Sequence, residues 1–147
     1  MSRRDNDEGT ILFLTLGLAV VLLLLVAVVV DVSAVILAKR GVSNAADGAA
    51  LAAAQQPDRA AIEDRDNALA SRLPLDPDLV GDVVSSYQTD AAGDLPGLRL
   101  VARVDGADDD EAVVDAYRTI TLPFGGWLGV GRVQVHAVAR ARSPVAP

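Results

Sequence analysis

Few residues in this chain could do chemistry, and their spacing argues against most of it. There is one histidine, His136, and no cysteine. Thiol catalysis, disulfides and Cys-ligated zinc are therefore excluded, and one imidazole cannot build a His-rich metal site. Nothing places an oriented serine and base together, so nucleophilic catalysis has no visible machinery. Carboxylates are abundant, but in an acidic chain their number carries no information about general acid–base work. The acidic cluster of residues 105–111, Asp105-Gly106-Ala107-Asp108-Asp109-Asp110-Glu111, offers oxygen ligands to a hard cation. It lacks the Asp-x-Asp-x-Asp-Gly spacing and the distal glutamate of a calcium loop, so a solvated turn is expected there. No catalytic residue, metal or cofactor is expected.

The remaining unusual segment is residues 123–131, Pro123-Phe124-Gly125-Gly126-Trp127-Leu128-Gly129-Val130-Gly131. It holds the only tryptophan and one of two phenylalanines. Two readings stay open. Phe124 and Trp127 tuck into a core, or a mobile, glycine-rich loop presents them to a partner or a bilayer.

What positions these residues begins with an apolar run. Residues 11–30 contain neither charge nor proline. Twenty residues at 1.5 Å rise span about 30 Å, the hydrocarbon thickness of a bilayer. The run is apolar all round, unlike an amphipathic core helix, so a transmembrane helix is expected, with residues 1–10 as a short tail. A secretory signal is the competitor, with Arg3 and Arg4 before it and Val32-Ser33-Ala34 as a small-x-small cleavage site. The run is longer than such a signal needs, and Val35, Ile36 and Leu37 continue past Asp31 and the candidate cut. Arg3 and Arg4 on one side balance Lys39 and Arg40 on the other. The short tail is easier to leave in the cytoplasm, giving a single-pass protein with its C-terminal domain outside.

Residues 31–56 extend the helix with alanine, the strongest helix former. Pro57 is expected to end it, and Gly41 and Gly48 are candidate bends. The small side chains suit close approach of other helices, in an assembly or on the chain's own domain. An extracytoplasmic α+β domain of residues 57–142 follows. It begins with an amphipathic helix over residues 57–73, capped by Asp58 and ended by Pro74. Residues 74–77 form a linker. Asp78 is expected to cap a second helix carrying Leu79, Val80, Val83, Val84 and Tyr87, with a strand as the alternative.

The period then becomes two. Leu98, Leu100, Ala102 and Val104 alternate with Arg99, Val101 and Arg103. Val114, Ala116, Ile120 and Leu122 share a face with Arg118. Val133, Val135, Ala137, Ala139 and Ala141 alternate with polar residues including His136, which falls on the polar face. A three-stranded antiparallel sheet covered by one helix is the expected architecture. Residues 143–147 read as a frayed tail. From Gly41 onward, 9 arginines face 16 carboxylates, a net charge of −7. That excludes a nucleic-acid partner.

A short tail of arginines and acids, a glycine, the apolar span, Asp31-Val32, Leu37-Ala38-Lys39-Arg40, Asn44-Ala45-Ala46-Asp47 and Ala49-Ala50-Leu51-Ala52 together form a pattern. It resembles the N-terminal region of TadE/TadG-like proteins of the tight-adherence (Flp-type) pilus system, over residues 3–54. The resemblance implies a non-enzymatic, pilin-like component or assembly factor in the cell envelope. Its partners would be the bilayer and other pilus-assembly membrane proteins or pilins, with no small-molecule substrate. Asp31, Asn44 and Asp47 in the helix, with Phe124 and Trp127 in the loop, are the expected interaction residues. One departure counts against prepilin-type processing. A cut after Gly9 would make Leu14 the fifth residue, where such pilins carry glutamate. The competing class is a generic membrane-anchored extracytoplasmic binding module.

Overall fold

The computed structural model describes residues 4–59, 73–107 and 109–143. One helix, α1 (Arg4–Ala53), runs for 50 residues, about 75 Å at 1.5 Å per residue. It passes through Gly9 and through Val32-Ser33-Ala34 without interruption. The hydroxyls of Thr15 and Ser33 are satisfied within the helix. Thr15 Oγ1 donates to the Leu12 carbonyl at 2.9 Å, and Ser33 Oγ to the Val29 carbonyl at 2.7 Å. Both bonds are what a hydrocarbon environment requires of a hydroxyl. A final turn follows, with Gln56 N donating to the Ala53 carbonyl, and the chain then leaves the helix ahead of Pro57.

The first half of α1 is almost wholly exposed. Of residues 11–30 all are exposed except Ala27, which is half-buried. Gly9–Ala53 is the helix long and apolar enough to cross a membrane among the described residues. The second half is the core of the head. Val42, Ala45, Ala46, Ala49, Ala50, Ala53 and Ala54 are all buried. The small residues thus pack within the chain's own domain, one of the two expected uses. A small-residue face lets the sheet come close to the helix axis, and the sheet answers with small residues of its own, Ala112, Val114, Ala116, Val135 and Ala139.

The sheet is an antiparallel meander, β1 (Arg99–Asp105), β2 (Glu111–Thr121) and β3 (Arg132–Arg142), in the order β1-β2-β3. Alternation sends Leu100, Ala102, Val104, Val114, Ala116, Val135 and Ala139 to the helix side, with Leu98 just ahead of β1. The register pairs Val114 with Ala102 and Ala139. Two helices, not one, cover this face: α1 lies on β2 and β3, and α2 (Pro77–Ala91) lies on β1 and α1. Helix α2 buries Val80 and Val84, so the helical reading holds over the strand alternative.

Its cap is Asp76 rather than Asp78. The Asp76 Oδ1 accepts from Asp78 N at 2.9 Å and Leu79 N at 3.2 Å. Pro77 then occupies the first turn, where a missing N–H costs nothing. Gly48 makes room for Tyr87 of α2, since a Cβ there would collide with the phenol hydroxyl.

The two ends of the segment from Pro57 to Leu75 meet in a short antiparallel bridge, and Asp58 N donates to the Pro74 carbonyl at 2.9 Å. Leu75 is buried, so residues 74–77 are part of the packed head as well as a connection. The helix expected over residues 57–73 falls mainly on residues 60–72, outside the described residues. Ser143 is buried, and its N–H donates to the Asp110 carbonyl at 2.8 Å, so the tail does not fray there.

Chain direction fixes the two ends of the head. Residues 31–53 of α1 rise about 33 Å, and the 11 residues of β2 about 36 Å. Helix and strand therefore span the same distance. The β1–β2 turn lies at the far end, because Leu75 N donates to the Asp109 carbonyl and Asp76 N to the Gln56 carbonyl. The β2–β3 connection lies at the near end, beside the apolar span.

Candidate functional site: the junction of helix and aromatic loop

At that near end two of the segments singled out above meet. Asp31 is 7% exposed, the one carboxylate among the buried described residues. Its Oδ1 accepts the backbone N–H of Phe124 at 3.0 Å, across 93 positions of sequence. A carboxylate at the edge of hydrocarbon is expensive unless it is hydrogen-bonded, and the amide of the loop supplies the bond. Asp31 is also where the apolar run ends, so the contact fixes the loop at that level of the helix.

The loop is a built turn. After Thr121, Leu122 N donates to the Gly131 carbonyl at 3.1 Å. A single 3-10 turn, Gly125–Leu128, follows Phe124 and ends at Gly129 with φ 76°. Trp127 N donates to the Phe124 carbonyl at 3.1 Å and Val130 N to the Gly125 carbonyl at 2.9 Å. Gly125 is obligatory: a Cβ would strike the Val130 carbonyl oxygen and lie 2.6 Å from Leu122 Cβ. Gly125 and Gly129 thus compact the loop instead of loosening it.

Three of its large side chains point outward. Trp127 is 93% exposed, Phe124 48% and Val130 52%. The reading in which Trp127 tucks into the core is thereby excluded. Just above the loop, a shallow cleft of about 550 Å³ runs between α1 and β2, walled by Ala34, Leu37 and Ala38 and edged by Arg118, Thr119 and Thr121. The Arg118 Nε donates to the Pro96 carbonyl at 3.1 Å. This explains how an arginine sits on the inner face of β2.

Asn44 and Asp47 are not part of this junction. Both are exposed residues of α1. Asn44 borders a second cleft of about 400 Å³ with Tyr87, Asp90 and Asp94 of the α2 side.

His136 stands on the outer face of the sheet, as the alternation implies. It stacks on Tyr117 with ring centroids 4.6 Å apart, and its Nε2 lies 3.4 Å from Asp115 Oδ1. Asp115 also accepts from Arg103. Sequence reasoning did not assemble this group, although the strand register brings these residues onto one face. Val113, between Arg103 and Arg140 in the register, is fully buried on the same face. Long arginine stems flanking it account for that. No group of three or more His, Asp or Glu able to hold a metal occurs among the described residues. The acidic turn uses backbone carbonyls structurally, Asp109 toward Leu75 and Asp110 toward Ser143.

No curated protein and no solved structure matches this chain. Residues 9–56, which carry the apolar span, Asp31, Asn44, Asp47 and the buried alanine face, match the family described as "Putative Flp pilus-assembly TadE/G-like".

Proposed function

We propose that this protein is a non-enzymatic, membrane-anchored, pilin-like component of a Flp-type pilus assembly apparatus. One observation carries the reading: the family match over residues 9–56 coincides with a single helix that is exposed and apolar below Asp31 and buried in a small head above it. The work of such a protein is mechanical. The span holds it in the bilayer, with residues 4–10 cytoplasmic and the α+β head outside. The outer side of α1, including Asn44 and Asp47, is the surface offered to other pilus-assembly proteins or pilins. An exposed apolar span has no other stable environment than lipid or the spans of such partners.

Deletion of the gene, with a complemented strain alongside, tests this by counting surface pili in the electron microscope. Loss of pili restored by complementation is the expected result. Normal piliation in the deletion strain would refute the pilus role while leaving the anchored topology standing. Accessibility of single cysteines at Ser2 and Gln134 to a membrane-impermeant thiol reagent tests the orientation. Only the Gln134→Cys protein should label in intact cells.

A further inference from the structure

We infer that the loop of residues 123–131 is a second membrane contact, seated in the lipid headgroup layer and holding the head against the bilayer. The inference rests on the reading that α1 spans the membrane.

Depth is the first argument. Asp31 follows directly on the apolar run, and the 3.0 Å bond to Phe124 N sets the loop at that height. Ala27, one turn lower on the same side of α1, is the only half-buried residue of the span. The loop therefore sits at the boundary between hydrocarbon and headgroups.

Chemistry is the second. Trp127, Phe124 and Val130 are outward and exposed, and indole prefers the headgroup level of a bilayer, where its ring is sheltered and its N–H stays hydrated. Val28 and Val32, on either side of Asp31 in α1, are exposed and apolar as well, so apolar surface is present on both the span and the loop at this level.

Charge is the third. Residues 119–131 form the longest uncharged stretch after Gly41, and arginines, Arg118 and Arg132, bound it on both sides. Cations at that height meet lipid phosphates. The opposite end of the sheet bears Asp105, Asp109 and Asp110, which anionic headgroups repel, while Glu111 there is paired with Arg140 and Arg142. The head is thus polarised to face the membrane with its loop. The turn itself is rigid, locked by Gly125 and its backbone bonds, so Trp127 is displayed rather than free to fold away.

Trp127 is the only tryptophan, which makes the test direct. The full chain, purified alone, is reconstituted in phosphatidylcholine vesicles carrying bromine at a defined acyl-chain depth, and tryptophan emission is measured. Bromines near the headgroup should quench Trp127 strongly, bromines near the chain ends weakly, and aqueous iodide poorly. A Trp127→Phe/Val20→Trp protein reports the span separately and should be quenched best by the deepest bromines. If the position-20 probe is quenched deeply but Trp127 is quenched by iodide and by no bromolipid, the loop inference is overturned and the span stands. If Trp127 is shielded from iodide and untouched by bromolipid, a second protein copy covers it, and lipid is again the wrong occupant. Absence of deep quenching at position 20 would remove the membrane span and the inference together.

Discussion

Replacing Asp31 with alanine removes the acceptor of the Phe124 N–H while leaving the helix propensity of α1 intact. A hydrogen bond to a carboxylate contributes about 1.5–3 kcal/mol net. Phe124 is 48% exposed, so its freed amide regains some bonding to water, and the low end of about 1.5 kcal/mol applies. If that energy holds the loop on the helix, local opening rises by about tenfold. Amide hydrogen exchange of the full chain in nanodiscs, read on peptides covering residues 122–131, should then be about tenfold faster in Asp31→Ala. Asp31→Asn keeps a neutral oxygen acceptor of about half the strength and should give an increase of about threefold. Ser33→Ala, whose hydroxyl bonds only to Val29 within its own helix, should leave loop exchange unchanged. Loop protection in Asp31→Ala equal to that of the parent protein would show that the bond does not hold the loop.

Other predictions concern the head. Ala46→Leu adds bulk to a fully buried position facing the sheet and should lower stability by about 1–3 kcal/mol through overpacking. Asn44→Leu, on the exposed side, should change it far less; denaturant melts in detergent compare the two. Asp76→Ala should cost about 1 kcal/mol by uncapping α2, whereas Asp78→Ala should be nearly silent, and equal losses in the same melts would contradict the cap geometry. Gly125→Ala should destabilise the loop through collision with the Val130 carbonyl, raising exchange over residues 122–131 even with Asp31 present.

Much of the fold is legible because its periods are strong. The uncharged run of residues 11–30 can only be a very long apolar surface. Alternation from Leu98 to Val104 and from Val133 to Ala141 puts the observed residues on the inner face. Where local signals compete, the sequence is less decisive. Asp76 and Asp78 flank the same proline, and either can cap a helix until the backbone shows which carboxylate reaches the free N–H groups. The alanine-rich stretch is ambiguous for a similar reason: smallness states that something comes close, not what, and here it is the chain's own sheet. The junction of Asp31 with Phe124 lies beyond local reasoning altogether, because 93 residues separate the partners. Each residue stood out alone, Asp31 as a charge ending an apolar run and Phe124 as an aromatic among glycines. Only the matched lengths of α1 above Asp31 and of β2 bring them together.

The continuity of α1 also has a geometric consequence. A flexible linker would let the head keep its own orientation whatever the anchor does. Here the bar that crosses the bilayer is the same bar on which the sheet is mounted, so the head behaves as the arm of a lever. Membrane helices tilt by about 20° on average. Over the roughly 33 Å from Asp31 to Ala53, such a tilt carries the far turn sideways by about 11 Å. Bilayer thickness and neighbouring spans, which set the tilt, thereby set where the distal acidic turn stands above the membrane.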